Sequence, residues 1–268
     1  TDVADRDAGI AVIGVSDPAS PANPVYCDTS HYSFGIAIAG TYAYVADGES
    51  GLSIIGISNP LSPATPVYRE TLGYANDVAV AGSYAYVARE DQYVTLTTGL
   101  AIIDISDPAN PGDPIYRNTD DYASGVAVAG SYAYVADYTS GLAIIDVSDP
   151  ANPGAPVYCD TTGNATAVVV SGSYAYVADG ASGLAIIDVS DPLNPASPVY
   201  RDTAGSAQGV AVAGTYAYVA DGSSGLAIID ISDPANPGQP AYRDTSGEAH
   251  DVAVAGSLAY VADGESGL

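Results

Sequence analysis

The chain has no methionine, no tryptophan and a single phenylalanine, so any aromatic core must be built from its 22 tyrosines. Lysine is also absent. All six cations are arginine, against 32 carboxylates, for a formal charge of −26. Binding to nucleic acid or to an anionic membrane needs clustered cations, so this balance excludes both. It suits cations, basic partners or high salt; alternatively, one Asp-rich repeat was copied and carried its acid with it. Two histidines and two cysteines are too few for a zinc or copper centre of the usual donor set. No apolar run reaches the roughly 18 to 20 residues of a membrane helix. The chain opens on Thr1 with no leader, which reads as a processed or trimmed product.

What the chain has in abundance is one repeated phrase. It runs from Thr41 to Gly82 as TYAYVADGESGLSIIGISNPLSPATPVYRETLGYANDVAVAG and restarts at Ser83, Ser131, Ser173, Thr215 and Ser257. The spacings are 42, 48, 42, 42 and 42 residues, the longer one carrying six extra residues near Glu90 to Thr97. Residues 1–40 are the phrase without its first two positions, and 257–268 are its first twelve. The repeats are therefore 1–40, 41–82, 83–130, 131–172, 173–214 and 215–256, with a partial copy at 257–268, in one domain.

Each copy reads as four short strands. GVAVAG is a short apolar run, SYAYVAD alternates Tyr with small residues, GLAIIDIS is β-branched, and PVYRDT alternates again. AGS or AGT marks a tight hairpin between the first two, DGxSG joins the next two, and SDPANPG precedes the fourth. The predicted fold is all-β: a six-bladed β-propeller of four-stranded antiparallel blades. The two termini share one blade, which takes Gly9 to Ser16 and Pro24 to Thr29 from one end and Asp251 to Gly256 and Leu258 to Asp263 from the other. Thr1 to Gly9 and Ala259 to Gly267 both encode that blade's second strand. One copy is surplus: a frayed tail, a sign that the chain continues, or a strand for a neighbouring molecule.

The phrase YVADGxSGLAIIDISDPANP resembles the LVIVD-repeat proteins, named for the strand that reads LAIID at Leu142 to Asp146, and more distantly the YVTN propellers. The resemblance covers the whole chain. It implies a β-propeller, often secreted, and so an extracellular or cell-surface location; it brings no catalytic residue set.

Most tyrosines read as core: six in the outer strand (Tyr26, Tyr68, Tyr116, Tyr158, Tyr200, Tyr242) and eleven in the YAY slots, wedged between blades. The other five break the repeat. Tyr32, Tyr74 and Tyr122 share one loop slot in consecutive copies, Tyr93 lies in the insertion, and Tyr138 replaces a turn glycine. With His31 and Phe34 they form a candidate aromatic crescent for a glycan or a peptide, since function concentrates where a scaffold stops repeating. The opposing reading is neutral drift on a tolerant loop surface.

Calcium is the cofactor the acidic turns would suit. Asp5 and Asp7 lie in DRDAG, while Asp47 with Glu49 and Asp263 with Glu265 lie in DGESG; the alternative is a plain glycine-bulged turn. Cys27 and Cys159 occupy the outer-strand slot that is arginine elsewhere, three repeats apart. In a ring of six they stand on opposite sides, too far apart to pair with each other, so they are either inert thiols or a disulfide between molecules, head to tail. Asn164 heads the sequon Asn-Ala-Thr, a glycosylation acceptor. No acid pair stands out as a hydrolase site. The sequence therefore points to a non-enzymatic surface scaffold that self-associates or assembles into a fibre or array. A ligand-binding propeller is the alternative, and an acidic hydrolase comes third.

Overall fold

In the computed structural model, residues 2–5, 9–14, 17, 20, 22–90 and 98–264 are described. Every regular element among them is a strand, as the alternation of YAYVA and the β-branched LAIID require. The chain divides into two compact units. One comprises Thr1–Val128 with Ser148–Pro153, and the other Ala129–Val147 with Gly154–Leu268.

The first unit holds two complete four-stranded antiparallel sheets. One is Gly35–Ala39, Tyr42–Ala46, Leu52–Gly56 and Val67–Arg69, in that spatial order. The other, Tyr74–Ala81, Tyr84–Glu90, Gly99–Asp104 and Ile115–Asn118, precedes and follows the insertion. Its first hairpin is the longest among the described residues and carries a register shift between Ala75 and Asp77. The second unit repeats the pattern in Ala167–Ser171 to Val199–Arg201 and in Gly209–Ala213 to Ala241–Arg243. Sequential strands are neighbours throughout, the meander that propeller blades use.

Turn chemistry sets this order. Ala39 pairs with Tyr42 across a two-residue turn whose Gly40 has φ +58°, the sign a tight hairpin turn demands at its first central position. Gly51 closes the DGESG turn at φ +78°, and a Cβ there would lie 2.5 Å from the Arg69 carbonyl oxygen. Only glycine allows the third strand to start so close to the outer one.

Period-2 alternation then gives each sheet two different faces. In the first unit Ala43, Val45 and Ile55 pack on Ile10 and Val12, whereas Tyr44, Ala46, Leu52 and Ile54 pack on Val78, Ala85, Val87, Ala101 and Ile103 of the next sheet. The second unit repeats this with Tyr176, Leu184 and Ile186 against Ala217, Val219, Ala227 and Ile229. A ring-bearing face meets a face of alanine and β-branched residues, so neighbouring sheets interdigitate.

The tyrosine expectation holds for one slot and fails for another. Tyr44, Tyr86, Tyr134 and Tyr176 are buried, each with a half-buried Tyr two residues earlier on the same face. The outer-strand tyrosines are not core: Tyr26 is 53% exposed, Tyr68 and Tyr242 are exposed, and Tyr116, Tyr158 and Tyr200 are half-buried. The outer strand is three or four residues long and has one neighbour only, so its ring lies at a sheet margin. Tyr200 and Tyr242 act through their hydroxyls, Tyr200 accepting from the Thr162 amide and Tyr242 from the Ala204 amide.

The chain's two ends form separate sheets. Asp2–Asp5, Gly9–Val12 and Val25–Cys27 make a three-stranded sheet, and Asp251–Ala255 pairs with Leu258–Ala262 as a hairpin. Both copies of the second strand are thus folded as strands.

Candidate functional site

Four of the predicted aromatic residues meet in the first unit. His31 and Tyr32 lie on the loop before Gly35–Ala39, and Tyr74 opens the corresponding first strand of the next sheet. The His31 ring stands edge-to-face with Tyr32 at 5.0 Å and 77°, and with Tyr74 at 5.3 Å and 90°. Phe34 lies 6.4 Å from Tyr74 at 55°. Tyr32 is 47% exposed and Phe34 39%. Glu49, in the DGESG turn, brings a carboxylate oxygen to 3.7 Å from His31 Nε2. Tyr122, the third tyrosine of this slot, is exposed, and its amide donates to the Asp121 carboxylate.

Beside the cluster, Leu72 is 64% exposed and holds a left-handed backbone at φ +44°. Such a conformation costs a non-glycine residue on the order of 1–3 kcal/mol and marks sites that the surrounding structure enforces. Leu72 was not legible as a site residue, because a leucine in a loop slot carries no chemical signal.

Tyr138 belongs to the second unit. It keeps the left-handed conformation of the glycine it replaces, φ +46°, because its amide and carbonyl both bond with Ala165, as Gly180 does with Ala207. Tyr93 lies outside the described residues. In the second unit the slot of Phe34 holds Gln208 and His250, and the His250 Nδ1 is 2.6 Å from the Gln208 side-chain oxygen.

The acidic turns are already engaged. Asp47 is buried; its carboxylate accepts from the hydroxyls of Thr29 (2.6 Å), Ser33 and Ser53 and from the Ser30 amide. Asp179, Asp221 and Asp263 repeat the arrangement with Thr161, Thr203 and Thr245 and with a glycine amide. The YVAD aspartate therefore clasps the threonine that follows the outer strand of the preceding repeat. Asp7 and Glu265 lie outside the described residues, as does the side chain of Asp5. Among the described residues, no group of three His, Cys, Asp or Glu is placed to hold a metal ion.

One repeat departs from this clasp. Arg89 stands where the others have aspartate; it is buried and donates to the Leu72 carbonyl and the Asn118 side-chain oxygen, with its guanidinium 4.6 Å from the Tyr116 ring centre. The Thr71 hydroxyl, which an aspartate would have received, is buried without a hydrogen-bond partner. The exchange could have been found by aligning the copies at the YVAD position.

Outer-strand arginines act as straps. Arg69, Arg117 and Arg201 each donate to a proline carbonyl in the Pro-rich loop of the next repeat: Pro111, Pro153 and Pro237. The cysteines of the same slot do likewise, Cys27 Sγ reaching the Ala64 carbonyl at 3.7 Å and Cys159 Sγ the Ala196 carbonyl at 3.4 Å. Burial, reinforced by a neighbouring aspartate, raises both thiols above their ordinary pKa and disfavours the reactive thiolate. Both thiols are free, Cys159 is buried, and each is turned to a carbonyl within its own unit. Asn164 is half-buried, and its sequon threonine, Thr166, spends its hydroxyl on the carbonyls of Ala178, Ala207 and Gln208.

A cavity of about 240 Å³ in the first unit is lined by residues including Thr41, Tyr42, Ile54, Ala64 and Pro108, with no acid, histidine or cysteine. It is small for a small-molecule pocket.

An LVIVD repeat model matches residues 3–29, 32–66, 72–113, 120–161, 162–200, 204–240 and 246–268. The chain belongs to the LVIVD repeat family. No curated protein matches its sequence. Among solved structures, this LVIVD chain is similar to the computationally designed Ika8 protein, with TM-score 0.66 and 6% identity over 87% of this chain and 69% of the other. It is also similar to apo AztD from Citrobacter koseri, a propeller-like fold, with TM-score 0.60 and 16% identity over 95% and 74%. At these identities the likeness is one of fold, an all-β propeller of four-stranded antiparallel sheets.

The clasp gives a pH signature. Burial pushes the Asp179 and Asp221 carboxyls up, against the opposing pull of the Thr161 or Thr203 hydroxyl and the loop amides. A carboxyl whose folded pKa is raised holds its proton longer in the native state, so its burial costs stability as pH rises from the unfolded value through the folded one. Exposed Asp104, Asp107 and Asp230 and half-buried Asp188 are lowered by hydrogen bonds in their turns and act in the opposite sense, losing their contribution as pH falls. Asp179→Asn keeps one acceptor oxygen, for Thr161 or for Gly163 but not for both, while removing the titration. Urea unfolding between about pH 4 and pH 7 is expected to show a shallower fall of stability than in the parent. An unchanged or steeper fall would show that the carboxyl is not held up by burial.

Proposed function

We propose that this chain is a non-enzymatic extracellular or cell-surface propeller that works by binding, with the His31, Tyr32, Phe34 and Tyr74 cluster as its capture site for a glycan or a peptide. The observation that carries this reading is the gathering of these exposed and half-exposed rings on loops where the repeat breaks its own pattern. Elsewhere among the described residues, Asp179, Arg201 and Asp107 are examples of polar side chains spent on a clasp, a strap and a turn cap that serve the fold. Array capture by the parent protein and by Tyr32→Ala and Tyr74→Ala tests it. The expected result is a loss of capture of roughly tenfold or more with the melting temperature little changed. Undiminished capture in both variants would overturn it.

We further propose that the repeats close into six blades, with the two termini sharing one. The 42-residue spacing and the duplicated second strand, Asp2–Asp5 and Leu258–Ala262, support this. In a shared blade one of those strands is surplus, and it favours a second reading in which it pairs with a neighbouring molecule and builds a head-to-tail array. Single-particle images of native material decide both points. Six blades per particle are expected, and seven blades or an open arc would overturn closure. Contacts running from particle to particle support the array, and a monodisperse monomer at high concentration would end it.

A further inference from the structure

We infer that the aromatic cluster of the first unit is a cage for a compact cationic group, an alkylammonium such as a lysine side chain or a quaternary amine. This rests on the binding reading above and narrows it to one ligand chemistry.

Ring geometry is the first ground. A sugar stacks on one broad, flat aromatic face, which calls for rings lying open or coplanar. Here the interplanar angles are 77°, 90° and 55°, so the rings stand as walls to one another. Walls at steep angles frame a small convex group and present several π systems to it at once, the arrangement that binds ammonium ions.

Charge is the second ground. The cluster is flanked by Glu49, whose side chain is 51% exposed and 3.7 Å from His31, and the protein as a whole carries −26. A carboxylate at the rim adds a Coulombic attraction and draws a cation in from solution. The described arginines of this unit do not compete for the place. Arg69 and Arg117 are strapped to the Pro111 and Pro153 carbonyls, and Arg89 is buried against Tyr116. The chain contains no lysine that could fill the cage from within.

Enforcement is the third ground. Leu72, left-handed and exposed two residues before Tyr74, is fixed by the bond its carbonyl accepts from buried Arg89 at 2.8 Å. Arg89 thus holds the loop that presents Tyr74. That gives the single exchange of aspartate for arginine in the YVAD slot a purpose at the site.

The test titrates the whole protein with choline, with its neutral carbon isostere 3,3-dimethyl-1-butanol, with hexalysine and with a neutral oligosaccharide, using calorimetry or tyrosine resonances. Choline is expected to bind at least roughly tenfold more tightly than the isostere. Tyr32→Ala and Glu49→Gln should each weaken it severalfold while the unfolding midpoint stays put. Hexalysine binding more tightly than choline would identify a protein lysine as the source, and the reverse a free quaternary amine; both support the cage. Equal binding of choline and the isostere would overturn it. Capture of the neutral oligosaccharide that depends on Tyr32, without either cation, would overturn the cage and leave the binding function standing. Failure of all probes in parent and variants alike would remove both.

Discussion

Neighbouring sheets in this protein are held together by a mismatch of side-chain size. The second strands that begin at Tyr42, Tyr84, Tyr132, Tyr174 and Tyr216 read Tyr-Ala-Tyr-Val-Ala, so one face projects rings and the other projects alanine and valine. Tyr44 and Tyr176 are buried because the facing sheet supplies alanine and β-branched residues and leaves room for them. A chain without tryptophan or methionine, and with one phenylalanine, has no other large aromatic or flexible filler to use. The repeat must then be copied closely, since a bulky residue on the alanine face would overpack the contact at a cost of about 1–3 kcal/mol.

Polar chemistry follows the same geometry. Once sheets are stacked, the outer strand of one repeat and the residues that follow it contact the next repeat. There a buried aspartate meets a threonine hydroxyl and a loop amide, and an arginine reaches a proline carbonyl. Each of these contacts joins consecutive repeats. The net charge of −26 is thus partly a by-product of a clasp copied with the repeat, and partly of exposed turn caps such as Asp104 and Asp107. The rings around Tyr74 gather where the loops depart from the repeat.

The sequence carried the architecture openly, because strand alternation and Gly-bearing turns repeat at a fixed period. Tyr44 and its equivalents were readable as core from the YAY pattern. Tyr26 and Tyr68 were not readable as exposed, since their exposure comes from lying in a short strand at the sheet margin, which alternation cannot report. The cluster was half legible: Tyr32 and Tyr74 stood out as departures from the repeat, and His31 and Phe34 as rare residues. Leu72 was hidden, because a left-handed φ is a product of tertiary contact; Arg89 breaks the YVAD pattern, but its bond to the Leu72 carbonyl was not readable. Asp47 looked like a turn ligand; its threonine partner is eighteen residues away, in the preceding repeat.

The size mismatch can be tested at one residue. Tyr44→Ala removes a buried ring from a face that cannot collapse onto the alanines opposite, and should cost about 3–5 kcal/mol in urea unfolding. Tyr26→Ala, at the exposed margin, should cost less than about 1 kcal/mol. Near-equal costs at the two positions would contradict the account, because burial between sheets would then not be what holds them together.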